Sequence, residues 1–361
     1  MPQITSPILL DSTGQQIVSA LNGLRNALAP KVYGVTGINS GTSLTRTDDA
    51  VGKTVTLGTS EITSDFDSCY PWCGMREVRD EFGNVFIQIP KFYSKKTLTS
   101  WQISMQKLEG FTTLFLDGNG NEIDYVLVGK YKASIDDGKL KSVSGVSPAV
   151  SQTMDTFRGY AQANGSGYQI TDYAIRSIIE ILFVIEFATT DSQSIMRGLC
   201  DVSASHTTGG TDDVTTVTGQ PTDRTNGGYQ CKYRGIEDLW GNVWEFVDGI
   251  SFNDADVYLS MTPSDYSAGK ITNTYTKVGT RATESGNPQT ITPTNKYPLM
   301  GYITAVGTSN YGDYSWYASG GQILLVGGLW GSGSSAGLFC LYGDYGASYA
   351  HGLIGSRLCK K

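Results

Sequence analysis

The sequence predicts an α+β protein: a short helix, a small β-rich region, then a larger domain with long loops. Three observations carry this. Residues 12–29 and 172–188 have helical apolar spacing. Between and after them run many short β-branched stretches bounded by Gly, Asn and Asp. Residues 327–361 follow neither period and consist largely of Gly, Ser, Ala, Tyr and Leu.

Residues 12–29, STGQQIVSALNGLRNALA, have Ser12 or Thr13 as a cap and Pro30 as a stop. Ile17, Leu21, Leu24 and Leu28 form a 4-3-4 seam. The seam fits packing on its own domain and pairing with copies of itself equally well. Residues 31–84 read as β-rich, with VYGVTGI and KTVTLGT as strands and GINSGT and EFGN as turns. NVFIQIP then opens the larger domain, 85–361.

Asp117-Gly118-Asn119-Gly120-Asn121 has the acids and glycines of a calcium loop but lacks the later acidic ligands, so a tight turn is expected. Asp137-Gly138 is a hairpin signal. Residues 151–165 read as a helix ending at Asn164-Gly165. In 172–188, Ile175, Ile178, Ile179, Leu182, Phe183 and Ile185 cover most of the circumference, as expected of a core helix. Thr171 is its expected cap, and Glu180 and Glu186 are expected to face solvent. A Thr/Gly/Asp-rich excursion fills 201–232, and GIEDLWGNVWEFVDGI follows at 235–250. TSNYGDYSWYASG at 308–320 shares the aromatic and glycine character of the tail, and QILLVGG at 322–328 reads as a buried strand.

Composition narrows the function. The chain has 361 residues, 17% charged, with 44 glycines and 21 tyrosines. Glycine is well above its usual share of about 7%. Tyrosine with glycine and serine is binding-surface chemistry, since Tyr gives contact area at low entropic cost. A net charge of −7 without a basic block argues against nucleic acid as a partner. Two histidines give little basis for a metal site, and the six cysteines read mainly as buried free thiols. The start lacks the character of a secretory signal, and 178–188 is too short to span a bilayer, so neither export nor membrane insertion is expected.

DLWGNVWEF at 238–246 resembles the D-x-x-G-N-V-W-E-W signature of the formylglycine-generating-enzyme type of C-type lectin fold. GGLW at 327–330 and IGSR at 354–357 resemble its closing pair, with Ser356 in place of the usual aromatic. The helix of 175–188 with the QSIM after it is similar to a degraded form of a further region of that fold. The resemblance covers roughly 85–361. It implies a C-type lectin fold, and with it an oxidase activity only if the family's cysteine pair is present. Those positions are Ser332 and Gly337 here, so that catalysis and its metal are not expected, and no cofactor is.

The tail is similar to a second branch, the variable proteins of diversity-generating retroelements on phage and prophage. The resemblance implies a ligand-binding face rewritten by adenine-directed mutagenesis at Leu329, Gly331, Ser332, Ser335, Tyr342, Asp344, Tyr345, Tyr349, His351 and Leu353. All these residue types are reachable from an asparagine codon by changing its two adenines. Lys, Glu, Gln, Met and Trp are not, and none occurs there. The implied frame is Trp240, Trp244, Gly327, Gly328, Trp330, Phe339, Ile354 and Arg357, with Glu245 a candidate partner for the arginine. Tyr342, Tyr345 and Tyr349 would be the hot spots, and Asp344 and His351 would tune specificity, the histidine adding pH dependence.

LTRTDDAVG, SDFDSCYPW and VFIQIPKFY also look like tailed-phage receptor-binding or tail-fibre proteins. That implies a virion tail location, other tail proteins as partners, and host attachment through a cell-surface protein or glycan. Residues 1–30 would then serve virion attachment or oligomerisation, and their seam tolerates a homotrimer. The alternatives are a non-diversified phage structural or adhesin protein of the same fold and an oxidase of the formylglycine-generating type. The Glu-Pro-Asn and Trp-Asn-Asp motifs of calcium-dependent sugar binding are absent.

Overall fold

The computed structural model describes residues 30–361 except 268, 270, 295, 308 and 309. The expected helix at 12–29 lies outside the described residues. Residues Val32–Lys361 form one compact unit. Within it strands dominate: the described residues hold twenty-six strands and three α-helices, of nine, fifteen and four residues. The α+β class expected from sequence is therefore corrected to a β-rich fold.

The physical reason lies in element length. Most of the strands run two to five residues, too short for alternation to register, and several take a partner far along the chain. Val32–Thr36 pairs antiparallel with Ser100–Ser104, and Glu61–Ser64 with Thr218–Gly219. Arg76–Arg79 pairs with Val85–Pro90, so the 31–84 region and the chain from 85 onward share sheets. Turn chemistry was more direct. Asp137 and Gly138, both at positive φ (47° and 68°), close the hairpin Ser134–Asp136/Lys139–Lys141, as a type I′ turn requires. Asp117 accepts from the amides of Asn119 and Asn121 at 2.8 and 2.9 Å, which makes its loop a tight turn.

The helix Tyr173–Phe187 is the spine of the larger core. Its cap is Asp172, whose carboxylate accepts from Ile175 N at 2.8 Å. The expected cap, Thr171, instead donates to Glu245 at 3.2 Å. All fifteen residues of this helix are buried, including both glutamates expected to face water. Glu186 pairs with Arg234 and accepts from the Tyr233 hydroxyl at 3.0 Å, while Glu180 lies 3.4 Å from Arg176. Burying a carboxylate is tolerable only with such partners. The second expected helix is Met154–Gln162, capped by Thr153.

A five-stranded sheet positions the tail. Its order is Ser315–Tyr317, Leu341–Gly343, Leu324–Val326, Trp244–Val247, Ile354–Gly355. The fourth strand, WEFV, is buried throughout. It pairs antiparallel with Leu324–Val326 and parallel with Ile354–Gly355. Beneath the sheet a second core cluster gathers Phe157, Trp244, Phe246, Leu325, Cys340, Ile354 and Leu358. All six cysteines are free and all but Cys73 are buried. No helix among the described residues is long and apolar enough to cross a membrane.

Candidate functional site

The frame residues sit where packing would demand. Trp240, Trp244, Phe339, Ile354 and Arg357 are buried, as are Gly327 and Gly328. The Trp240 indole donates to the Met196 and Arg197 carbonyls, both at 3.2 Å. Gly327 and Gly328 have φ of 91° and 81°, a region that glycine enters without steric cost. Trp330 is held through its backbone, donating to Asn242 O and accepting from Val202 N, both at 2.9 Å, while its ring stays partly exposed.

Arg357 is the keystone under the tail. Its guanidinium reaches Glu245 at 3.1–3.2 Å and donates to the carbonyls of Gly129, Lys130, Glu237 and Asp238. Lys132 meets the same carboxylate at 2.7 Å. Burial alone would raise the Glu245 pKa, but Arg357 and Lys132 hold it down at about 2.

None of the ten tail positions is buried. Gly331 and His351 are exposed, and Leu329, Ser332, Ser335, Tyr342, Asp344, Tyr345, Tyr349 and Leu353 are partly so. Ala336, Gly337, Leu338, Phe339 and Cys340, which run between them, are buried. The expected hot spots come together as a ladder of near-parallel rings. Trp316, Tyr342, Tyr345, Tyr349 and His351 follow one another at centroid spacings of 5.0, 4.9, 3.6 and 6.0 Å, with interplanar angles of 25°, 9°, 7° and 4°. Trp244 closes the inner end, edge-on to Trp316 and Tyr342 at 5.7 and 5.5 Å. The Tyr345 hydroxyl donates to that of Tyr342 at 3.5 Å. A hydrogen bond with Tyr345, and then burial, push the Tyr349 phenol up to about 12. The stacked rings give their faces to each other, so edges and hydroxyls are what they offer a ligand.

Asp344 is partly exposed but turns one oxygen inward. Its Oδ1 is buried without a hydrogen-bond partner, and burial raises its pKa, opposed by Arg281 and a bond from Tyr342. Leu329, Gly331, Ser332 and Ser335 form a separate loop, with Gly333–Ser335 as one 3-10 turn.

Sequence reasoning missed three residues here. Trp316 extends the ladder from a strand pairing parallel with Leu341–Gly343. The aromatic and glycine character of 308–320 was its signal. Arg281 reaches the Gly343 carbonyl at 3.0 Å. Asp313 is buried and accepts from Phe339 N at 2.5 Å. Neither of these two had a sequence signal.

Asp313 also explains position 337. Gly337 has φ of 150°, and a Cβ there would collide with the Asp313 carboxylate. Any side chain at this position, a thiol included, meets the same obstacle. Gly337→Ala is expected to cost about 3 kcal/mol from overpacking and backbone strain. Gly331→Ala, whose Cβ meets only ordinary contacts, should stay within about 0.5 kcal/mol. Urea unfolding of the two variants checks the pair.

No protein-family model matches the chain, and no curated protein matches it significantly. Among solved structures, PvdO from Pseudomonas aeruginosa aligns over 79% of this chain and 98% of that one, at 10% identity and a TM-score of 0.35. A likeness this low carries no argument about function.

Proposed function

We propose that the chain is a ligand-binding display protein of a phage or prophage tail, whose face at 327–357 is exchanged by a retroelement to recognise host surface molecules. One observation carries the reading: all ten positions implied as exchangeable reach the surface, while seven of the eight frame residues named with them are buried. Residues free to change without loss of the core must be at the surface, and residues that hold a loop in shape must be packed.

The chemistry of the face supports binding. A rigid aromatic row with adaptable Ser and Gly beside it is the composition of a paratope. Several copies on one virion would raise a weak single-site affinity by avidity. The positions that would carry an oxidase thiol pair are Ser332 and Gly337, and the second has no room for a side chain. The test is the DNA around the coding sequence. An adenine-rich near-copy of the 3′ coding end beside a reverse transcriptase gene is the expected finding, and the absence of both would rule out diversification.

A further inference from the structure

A cleft beside the ladder is lined in part by Phe252, Arg281, Glu284, Trp316, Tyr317 and Gly343. None of these is among the ten tail positions, although Asp344, which is one of them, acts on Arg281 from outside the lining. The Arg281 guanidinium lies between two rings, 3.9 Å from the Phe252 centroid and 4.7 Å from that of Tyr317. It donates twice to the Asp254 carbonyl, at 3.1 and 3.0 Å, and once each to Gly343 O at 3.0 Å and Ala318 O at 3.3 Å. A guanidinium has five N–H donors. These bonds use four and leave one on Nη1.

Carbonyls satisfy donors but do not neutralise charge. Among the described residues Arg281 makes no ion pair. Burial pulls its pKa down to about 10, against the opposing pull of Tyr317, Asp344 and Asp254. The Asp254 carboxylate is engaged by the Tyr317 hydroxyl at 2.7 Å. A partly buried cation that bonds only carbonyls, with Asp344 and Asp254 acting on it without a direct ion pair, is what an incoming carboxylate would compensate. Glu284 stands exposed at the same cleft, with no hydrogen bond or ion pair among the described residues. The open space is about 30 Å³. That is room for two or three waters, each needing about 10–15 Å³ of such space, so it admits a carboxylate group and not a whole sugar ring.

We propose that this cleft takes the carboxylate of an Asp or Glu side chain from a protein ligand, with the remaining Nη1 hydrogen of Arg281 as donor and Glu284 as a like-charged filter at its edge. Saturation-transfer NMR on the full chain tests it with three probes: N-acetyl-aspartate methylamide, the matching asparagine compound, and glucuronate. The aspartate probe is expected to bind saturably, with the other two at least about 10-fold weaker. Glu284→Gln should tighten the aspartate probe about 3-fold or more by removing a like charge. Arg281→Gln should abolish binding. If the loss of its carbonyl bonds unfolds that variant, Glu284→Gln decides, because Glu284 is exposed. Absence of aspartate binding, equal binding of either comparison probe, or an unchanged affinity in Glu284→Gln would each overturn the proposal.

Discussion

Glu245→Ala is expected to destabilise the chain by about 3–5 kcal/mol, the range seen when one partner of a buried ion pair is removed. The side chains of Glu245, Arg357 and Lys132 are all within 3% of full burial. Removing the single carboxylate leaves two buried cations facing each other, which places the effect toward the top of that range. Glu245 also lies in register with Gly355 on one side and Val326 on the other, so the loss falls on the strands that carry the tail. Urea unfolding at pH 7 reads it directly.

Acid gives an independent reading of the same triad. An unfolded glutamate titrates at about 4.3, and Glu245 in the fold is held at about 2, with Arg357 and Lys132 overcoming the effect of burial. A depressed folded pKa contributes stability that is fully present above the unfolded value and lost as pH falls through the folded one. The wild-type chain should therefore lose roughly 3 kcal/mol of stability from this group between pH 4.5 and 2. Glu245→Gln should show a flatter profile across that window. Parallel profiles for the two chains would mean that the triad is not ionised as described.

The second large effect is on recognition. On the proposed function, replacing Tyr342, Tyr345 and Tyr349 together by serine is expected to lower attachment to host cells about 100-fold or more, because clustered aromatics dominate interface energy. The fold should survive, since all three rings are only partly buried. Each stacked ring pair is worth about 0.5–1.5 kcal/mol, so a fall in the melting midpoint is expected while unfolding stays cooperative. Trp244→Ala is the contrasting variant. It removes a buried ring from beneath the same ladder and should cost about 3–5 kcal/mol. Labelled protein on cells of the propagating strain, with circular dichroism on the same samples, separates the two outcomes. Unchanged attachment in the triple variant would remove the ladder from the binding face.

What the sequence disclosed came from short-range rules and motif spacing. The helix Tyr173–Phe187 shows in its apolar density, and the hairpin at Asp137-Gly138 in its turn chemistry. Glu245 is legible as one candidate partner for Arg357, because a buried arginine needs a carboxylate or carbonyls, and the structure supplies both. What stayed hidden depends on distant pairing. Glu180 and Glu186 read as solvent-facing because Arg234, which neutralises Glu186, comes forty-eight residues later. The preference for α+β arose because one strongly periodic helix outweighs many strands of two to five residues. Arg281 stands in a polar stretch with no local pattern, and its role exists only once Phe252, Tyr317 and Gly343 surround it.

The central claim is that ten surface positions are exchangeable on a fixed frame, and sequencing the 3′ coding end across sister isolates tests it most directly. The account predicts variation confined to the codons of Leu329, Gly331, Ser332, Ser335, Tyr342, Asp344, Tyr345, Tyr349, His351 and Leu353, with Trp330, Gly337, Phe339, Ile354 and Arg357 constant. Identical tails in all isolates, or substitutions scattered equally over frame and face, would contradict it.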